Sequence, residues 1–239
     1  EINPIFIIQL KIVLQRFVNL DSQQNFMILN VRFILLLLMF HSMISCNANT
    51  ADVEIENEKL TMKNDTIVFG AGCFWCVEAV FQQLKGVQSV LPGYCAGSTL
   101  NPTYEQVCTG NTGHNEVARV VFDPSQITIS ELLEVFWKTH DPTTLNQQGN
   151  DVGTQYRSGI YCFNKSQFDL SNAYKKKLND SKVWKNDVVT EIMMLDVFYP
   201  AENYHVNYYN SNKSQSYCQY VIQPKIDKFR KIFKDKLAD

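Results

Sequence analysis

From residue 65 onward the spacing of apolar positions switches between a period of two and a period of about 3.6. Residues 66–69 (TIVF) run into Gly70-Ala71-Gly72 and read as a short buried strand closed by a glycine turn. Phe74, Val77, Val80, Phe81 and Leu84 recur at helical spacing, and Gly86 ends that helix. Cys73 therefore stands where a strand turns into a helix N-terminus. A second strand begins at Val87 and is expected to break at Pro92-Gly93. Residues 97–115, rich in Gly, Thr and Asn, read as a long loop. Residues 117–122 alternate as a strand, closed by Asp123-Pro124. Thr128 and Glu131 have capping-box spacing and open a helix that buries Leu132, Leu133, Phe136 and Trp137. Residues 141–156 form a second long polar loop. Then follow a strand at 159–163, a helix at 168–178, a strong strand at 188–198 and a short aromatic helix at 201–209. An irregular tail at 210–223 leads to a basic amphipathic helix at 224–237. Alternating strands and helices with uneven connections predict an α+β or α/β domain with a mixed sheet. Loops of this length inside a compact domain are usually functional.

Residues 1–64 follow a different pattern. Read from Met27, Arg32 supplies a positive start, residues 33–40 an apolar run with four consecutive leucines, and small or polar residues lead to Cys46. This is the order of a secretory signal. The run falls short of the roughly 20 apolar residues that a spanning helix needs. Ser45-Cys46 also resembles a bacterial lipobox, in which the Cys is acylated, with Met43 where Leu is usual. Residues 47–64 are polar and acidic, without a sustained period. The expected organisation is an upstream and signal segment at 1–46, a linker at 47–64, and one catalytic domain at 65–239. An exported protein follows, periplasmic or attached to a membrane through lipidated Cys46; a cytoplasmic protein is the alternative.

Composition changes this picture in two ways. Hydrophobic residues are 45% and charged residues 19% of the 239, with a net charge of −2. That is a globular balance, and it argues against a phosphate backbone as partner. The seven cysteines, at 46, 73, 76, 95, 108, 162 and 218, are odd in number and widely spread, unlike a disulfide-stapled scaffold. At least one thiol is free for chemistry.

Cys73 has the strongest context. A thiol at a helix N-terminus feels exposed N–H groups and the positive end of the dipole, which favour the thiolate. Phe74 and Trp75 would give it an apolar wall. Cys76 completes a C-x-x-C, read as a redox pair, half a zinc site or a small core residue. Glu116, in Thr-Gly-His-Asn-Glu, enters a strand from a loop and would be a general acid if burial raises its pKa. His114-x-Glu116 also raises a zinc deaminase, but the C-x-x-C precedes it and lacks the Pro of that signature. Tyr104, Asp151, Tyr156 and His205 are polar candidates only as a set.

In order along the chain come GCFWCVEAVFQQLKGV, GYCAG, NPTYEQV, TGHNE, DPTTLNQQGNDVGTQYRSGIY and YHVNYY. Over residues 66–223 the chain resembles the peptide methionine sulfoxide reductase A family. The resemblance implies an α/β sandwich with a ferredoxin-like core and a long irregular C-terminal segment. It implies thiol-dependent reduction of the S epimer of methionine sulfoxide, free or in oxidised proteins and peptides, without a cofactor. Cys73 would be the nucleophile and Phe74 and Trp75 the methyl pocket. Glu116 would protonate the sulfoxide oxygen, Tyr104 and Tyr156 would hydrogen-bond it, and Asp151 would organise the site. Cys218 would resolve the resulting sulfenic acid, with Cys76 as the alternative, and thioredoxin or a similar dithiol would reset the enzyme. Two departures stand out: Cys76 where many members have Gly, and Cys95 where many have a small residue or Met. Cys108 and Cys162 are expected to be buried. Two other classes remain open at this level, a zinc-dependent deaminase or hydrolase using His114 and Glu116, and a non-catalytic peptide-binding lipoprotein.

Overall fold

The computed structural model describes residues 64–238. The signal segment, Cys46 and most of the linker lie outside them. The chain forms β1 (Asp65–Ala71), α1 (Phe74–Phe81), β2 (Val87–Cys95), α2 (Tyr104–Cys108), β3 (Asn115–Phe122), α3 (Ile129–Thr139), the short β4 (Gln147–Gln148) and β5 (Asp151–Val152), and a 3-10 turn at Thr154–Tyr156. It continues through β6 (Ser158–Cys162), α4 (Lys165–Ser181), β7 (Glu191–Met194), β8 (Phe198–Pro200), a 3-10 turn at Asn203–His205, α5 (Tyr208–Ser211), a π-helical turn at Cys218–Ile222 and α6 (Gln223–Ile232).

Six strands pair in the order β7-β6-β1-β3-β2-β8. Each neighbouring pair among the four central strands is antiparallel, and of the paired strands only β6 and β7 are parallel. Strands β1, β2, β3 and β6 with helices α1 and α3 make a β-α-β-β-α-β unit, the ferredoxin-like arrangement. Side chains alternate across the sheet, as a pleat requires. Ile67, Phe69, Val120, Phe122 and Ile160 point to one face, where α1, α3 and α6 add Val80, Phe81, Leu132, Phe136 and Phe229. Val68, Cys95, Val117 and Tyr161 point to the other, covered by Leu195 and Phe198. The result is an α+β sandwich.

Four expectations are corrected. Strand β2 does not break at Pro92-Gly93 but runs on to Cys95. The Pro92 carbonyl accepts from the Ala201 N–H at 3.0 Å, so this residue turns its backbone groups away from β3. The missing N–H therefore costs no bond in the β2–β3 ladder. At Gly93 a Cβ would overlap the Phe198 ring and the Tyr199 carbonyl, so glycine is what lets β8 close on β2. Residues 188–198 are not one strand. Their apolar run splits into β7 and the start of β8 on opposite edges, and Leu195 and Phe198 cap the second face between them. The 97–115 loop contains α2, opened by Thr103 and Gln106 in a reciprocal capping box. Finally, Cys108 is exposed, because α2 is only five residues long and turns Val107 rather than its last residue inward. Cys162 is buried as expected.

Candidate active site

Strand β1 ends at Ala71, and Gly72 turns the chain into α1 with φ +88°. A side chain there would sit 2.7 Å from Gln148 as well as strained, so the turn is reserved for glycine. The turn delivers Cys73 as the N-cap of α1, where its carbonyl accepts from the Cys76 N–H at 3.0 Å. Cys73 is almost wholly buried, in one cluster with Cys76 and Cys218.

Strand β3 brings Glu116 to the same place from the middle of the sheet. It is buried, and its Oε2 accepts from the Phe74 N–H at 3.2 Å, the first amide of α1. Burial pushes this carboxyl up to about 8; the Phe74 N–H pulls it down, and negative charge at Asp151 and Cys76 adds to the rise. At neutral pH Glu116 therefore holds a proton beside the thiols.

The two thiols of the C-x-x-C lie in one buried cluster, and each perturbs the ionisation of the other. The helix N-terminus favours a thiolate at Cys73, but burial outweighs it and keeps that thiol's pKa high. The influence of Cys73 draws Cys76 down to about 7 against its own burial, with help from the Lys225 ammonium. The two thiols therefore titrate as a coupled pair. Cys218 heads the π-helical turn, buried in the same cluster, and burial and the neighbouring Cys76 raise its pKa.

The aromatic residues frame the thiols. Phe74 is fully buried beneath Tyr94, Tyr104 and His205, so it forms the floor of the site rather than an open wall. Trp75 keeps a partly exposed face and stacks on Tyr208 at 3.7 Å. Its indole N–H donates to His205 Nδ1 at 3.1 Å. Burial holds the His205 pKa down, which suits an acceptor nitrogen. Tyr104 stacks on the same imidazole at 4.4 Å, and its N–H donates to Glu202. Burial raises the pKa of both Tyr104 and Tyr156, and both feel the Glu116 carboxyl, so the two phenols remain donors near it. Asp151 does not meet the thiols directly. It accepts from the Tyr217 hydroxyl at 2.7 Å, and that phenol packs on the cluster that holds Cys73.

All the candidates except His114 converge. His114 turns its Nε2 to the Thr99 carbonyl at 2.7 Å, away from Glu116. Among the described residues no group of three or more His, Cys, Asp and Glu is placed to hold a metal. Three contributors were not among the sequence candidates. Tyr217 sits in a tail read as irregular, 66 positions from its partner Asp151. Glu202 joins Tyr94 to Tyr104. Glu78, buried on α1, accepts from the Asn207 N–H at 2.8 Å and so fixes the start of α5, which carries Tyr208. Only Tyr217 had a nearby cue, its position next to Cys218.

A family model described as peptide methionine sulfoxide reductase matches residues 65–237. Among individual proteins, peptide methionine sulfoxide reductase MsrA of Acinetobacter baumannii (strain SDF) is 53% identical over 173 residues, 71% of this chain and 98% of that one. The protein of the same name from Sulfolobus acidocaldarius is 52% identical over 174 residues, 73% of this chain and 98% of its own. Among solved structures, Mxr1 from Saccharomyces cerevisiae in reduced form superposes with a TM-score of 0.60 at 32% identity, covering 66% of this chain and 91% of that one. Methionine sulfoxide reductase A of Corynebacterium diphtheriae gives 0.59 at 37% identity, covering 66% and 78%.

Proposed function

This chain belongs to the peptide methionine sulfoxide reductase family, and from that premise we propose how its own residues divide the reaction. The protein is an oxidoreductase that reduces methionine sulfoxide with thiols. The observation that carries the assignment of roles is the protonated carboxyl of Glu116, held on the first amide of α1 beside Cys73.

A sulfoxide sulfur resists attack until its oxygen accepts a proton. Cys73 loses its proton to solvent and attacks the sulfur as the thiolate, while Glu116 gives its own proton to the oxygen. Tyr104 and Tyr156 hydrogen-bond the oxygen as it gains charge, in a site largely closed to water. The oxygen then passes to Cys73: the substrate S–O bond and the new S–S bond both break as an O–S bond forms at Cys73, which releases the thioether and leaves a sulfenic acid. A second thiol then displaces that oxygen as water, leaving a disulfide. Trp75, braced by Tyr208 and His205, supplies the apolar face for the substrate's methyl group. Selectivity for the S epimer belongs to the same reading, since each sulfoxide epimer has its own enzyme.

Cys76 is the better-placed first resolver because it lies one helical turn from Cys73 and perturbs its ionisation, and Cys218, in the same buried cluster, is the second in line. Cys76→Ser is expected to leave the first methionine per chain unchanged and to slow disulfide formation at least tenfold. Cys218→Ser is expected to stop at a Cys73–Cys76 disulfide. Peptide mapping after one turnover reads both, and a direct Cys73–Cys218 bond in the intact protein would reverse the order. The disulfide needs an external dithiol for reset, for which a thioredoxin-type protein has the chemistry. Export and lipidation at Cys46 are proposed from the sequence order of residues 33–46 alone. The intact mass of protein extracted from membranes is expected to carry the acyl chains, and an unmodified Cys46 there would remove that part.

A further inference from the structure

Methionine is a common filler of protein cores, yet none fills this one. Of the six methionines in the chain, the described residues hold only Met193 and Met194. These are 46% and 49% exposed, and neither joins a buried cluster. They are adjacent on β7, an edge strand that pairs only with β6 in the sheet, so one points to each side of the pleat. An extended edge with one free flank presents both thioethers to solvent.

We propose that Met193 and Met194 are an oxidation site on the enzyme's own surface, and that a second copy of the enzyme repairs it. The proposal rests on the reductase reading above. Hydrogen peroxide gives one oxygen to each thioether, forming a sulfoxide and water. The second copy returns each sulfoxide to thioether, while two of its thiols become a disulfide and the oxygen leaves as water. An external dithiol then resets it, so each cycle consumes one peroxide.

Repair must be between molecules. Met193 registers with Tyr161, and Tyr161 with Val68, two strands across and in the middle of β1. Cys73 lies beyond the end of β1. At about 3.3 Å per residue and 4.8 Å per strand, the thioether and the thiol are roughly 20 Å apart on a rigid sheet. The oxidation is also tolerable. A sulfoxide in a core disrupts packing, whereas here the added oxygen faces water and displaces no buried neighbour.

The test uses full-length Cys73→Ser protein, which lacks the nucleophile for repair. It is treated with hydrogen peroxide, and the peptide containing residues 193 and 194 is followed by mass spectrometry. A small amount of reduced wild-type enzyme and dithiothreitol are then added, with N-acetylmethionine sulfoxide in the same tube. Both residues are expected to gain oxygen. The sulfoxide at each is then expected to fall to about half, because peroxide makes both epimers and the enzyme takes one. Thioethers that stay reduced under conditions that fully oxidise N-acetylmethionine would overturn the proposal. So would sulfoxides that persist while the added N-acetylmethionine sulfoxide is reduced, an outcome that leaves the activity itself standing. Failure to reduce either one would overturn the reductase reading together with the proposal.

Discussion

Replacing Cys73 by Ser is expected to bring reduction of a methyl sulfoxide peptide down to the uncatalysed level while the protein stays folded. The two halves of that expectation have separate causes. Cys73 is the N-cap of α1, and Ser is among the best residues for that position, so the helix keeps its start. The chemistry has no such substitute. A hydroxyl at neutral pH is a poor nucleophile towards sulfur and cannot carry the oxygen away as a sulfenic acid. Circular dichroism and thermal melting report the fold, and methionine release reports the chemistry. Measurable turnover in a folded Cys73→Ser protein would mean that another thiol takes the oxygen.

Glu116→Gln is expected to slow the first step by about 10²- to 10⁴-fold, the range for loss of a positioned acid. The amide oxygen of Gln can still accept the Phe74 N–H, so the variant retains the contact seen at 3.2 Å. What it loses is the proton. The sign of the pH dependence follows from the raised pKa. Glu116 is the acid below about 8 and the carboxylate above it. The first-step rate that depends on the acid is therefore full below that pH and declines as pH rises through it. In Glu116→Gln that declining limb should vanish along with most of the rate. Single-turnover methionine release between pH 6 and 10 separates the two proteins. A wild-type rate that does not decline above pH 8, or a variant with the same profile, would remove Glu116 from the proton-donor role.

The position of Cys73 is legible from sequence because its cause is local. Strand, glycine turn and helix lie within one short stretch, and the Thr128–Glu131 cap was readable for the same reason. Its ionisation is not local. A helix N-terminus alone predicts a lowered thiol pKa at Cys73, but burial and the neighbouring Cys76 raise it. The acidity of Glu116 likewise comes from burial that no single segment provides. Distance in sequence hides partners in the same way. Asp151 acts through Tyr217, and Phe198 in β8 meets Gly93 in β2 across about a hundred positions. The apolar run at 188–198 shows the limit of periodicity. Hydrophobic residues that pair in a strand and those that cap a sheet face have the same composition. Only the sheet's need to cover Val68, Val117 and Tyr161 decides between them. The capping pair Thr103–Gln106 is a different case, since its signature was present but masked by a Gly- and Thr-rich surround.

The central claim is that Cys73 takes the oxygen from the sulfoxide. Its most direct test is one turnover in a Cys76→Ser/Cys218→Ser double variant, in which both proposed resolving thiols are absent. The reduced protein is mixed with methionine sulfoxide and dimedone, a reagent for sulfenic acid. One methionine released per chain, with a single dimedone adduct on Cys73, is the predicted result. Methionine release with the adduct on Cys95, Cys108 or Cys162, or with no adduct on any cysteine, would contradict it.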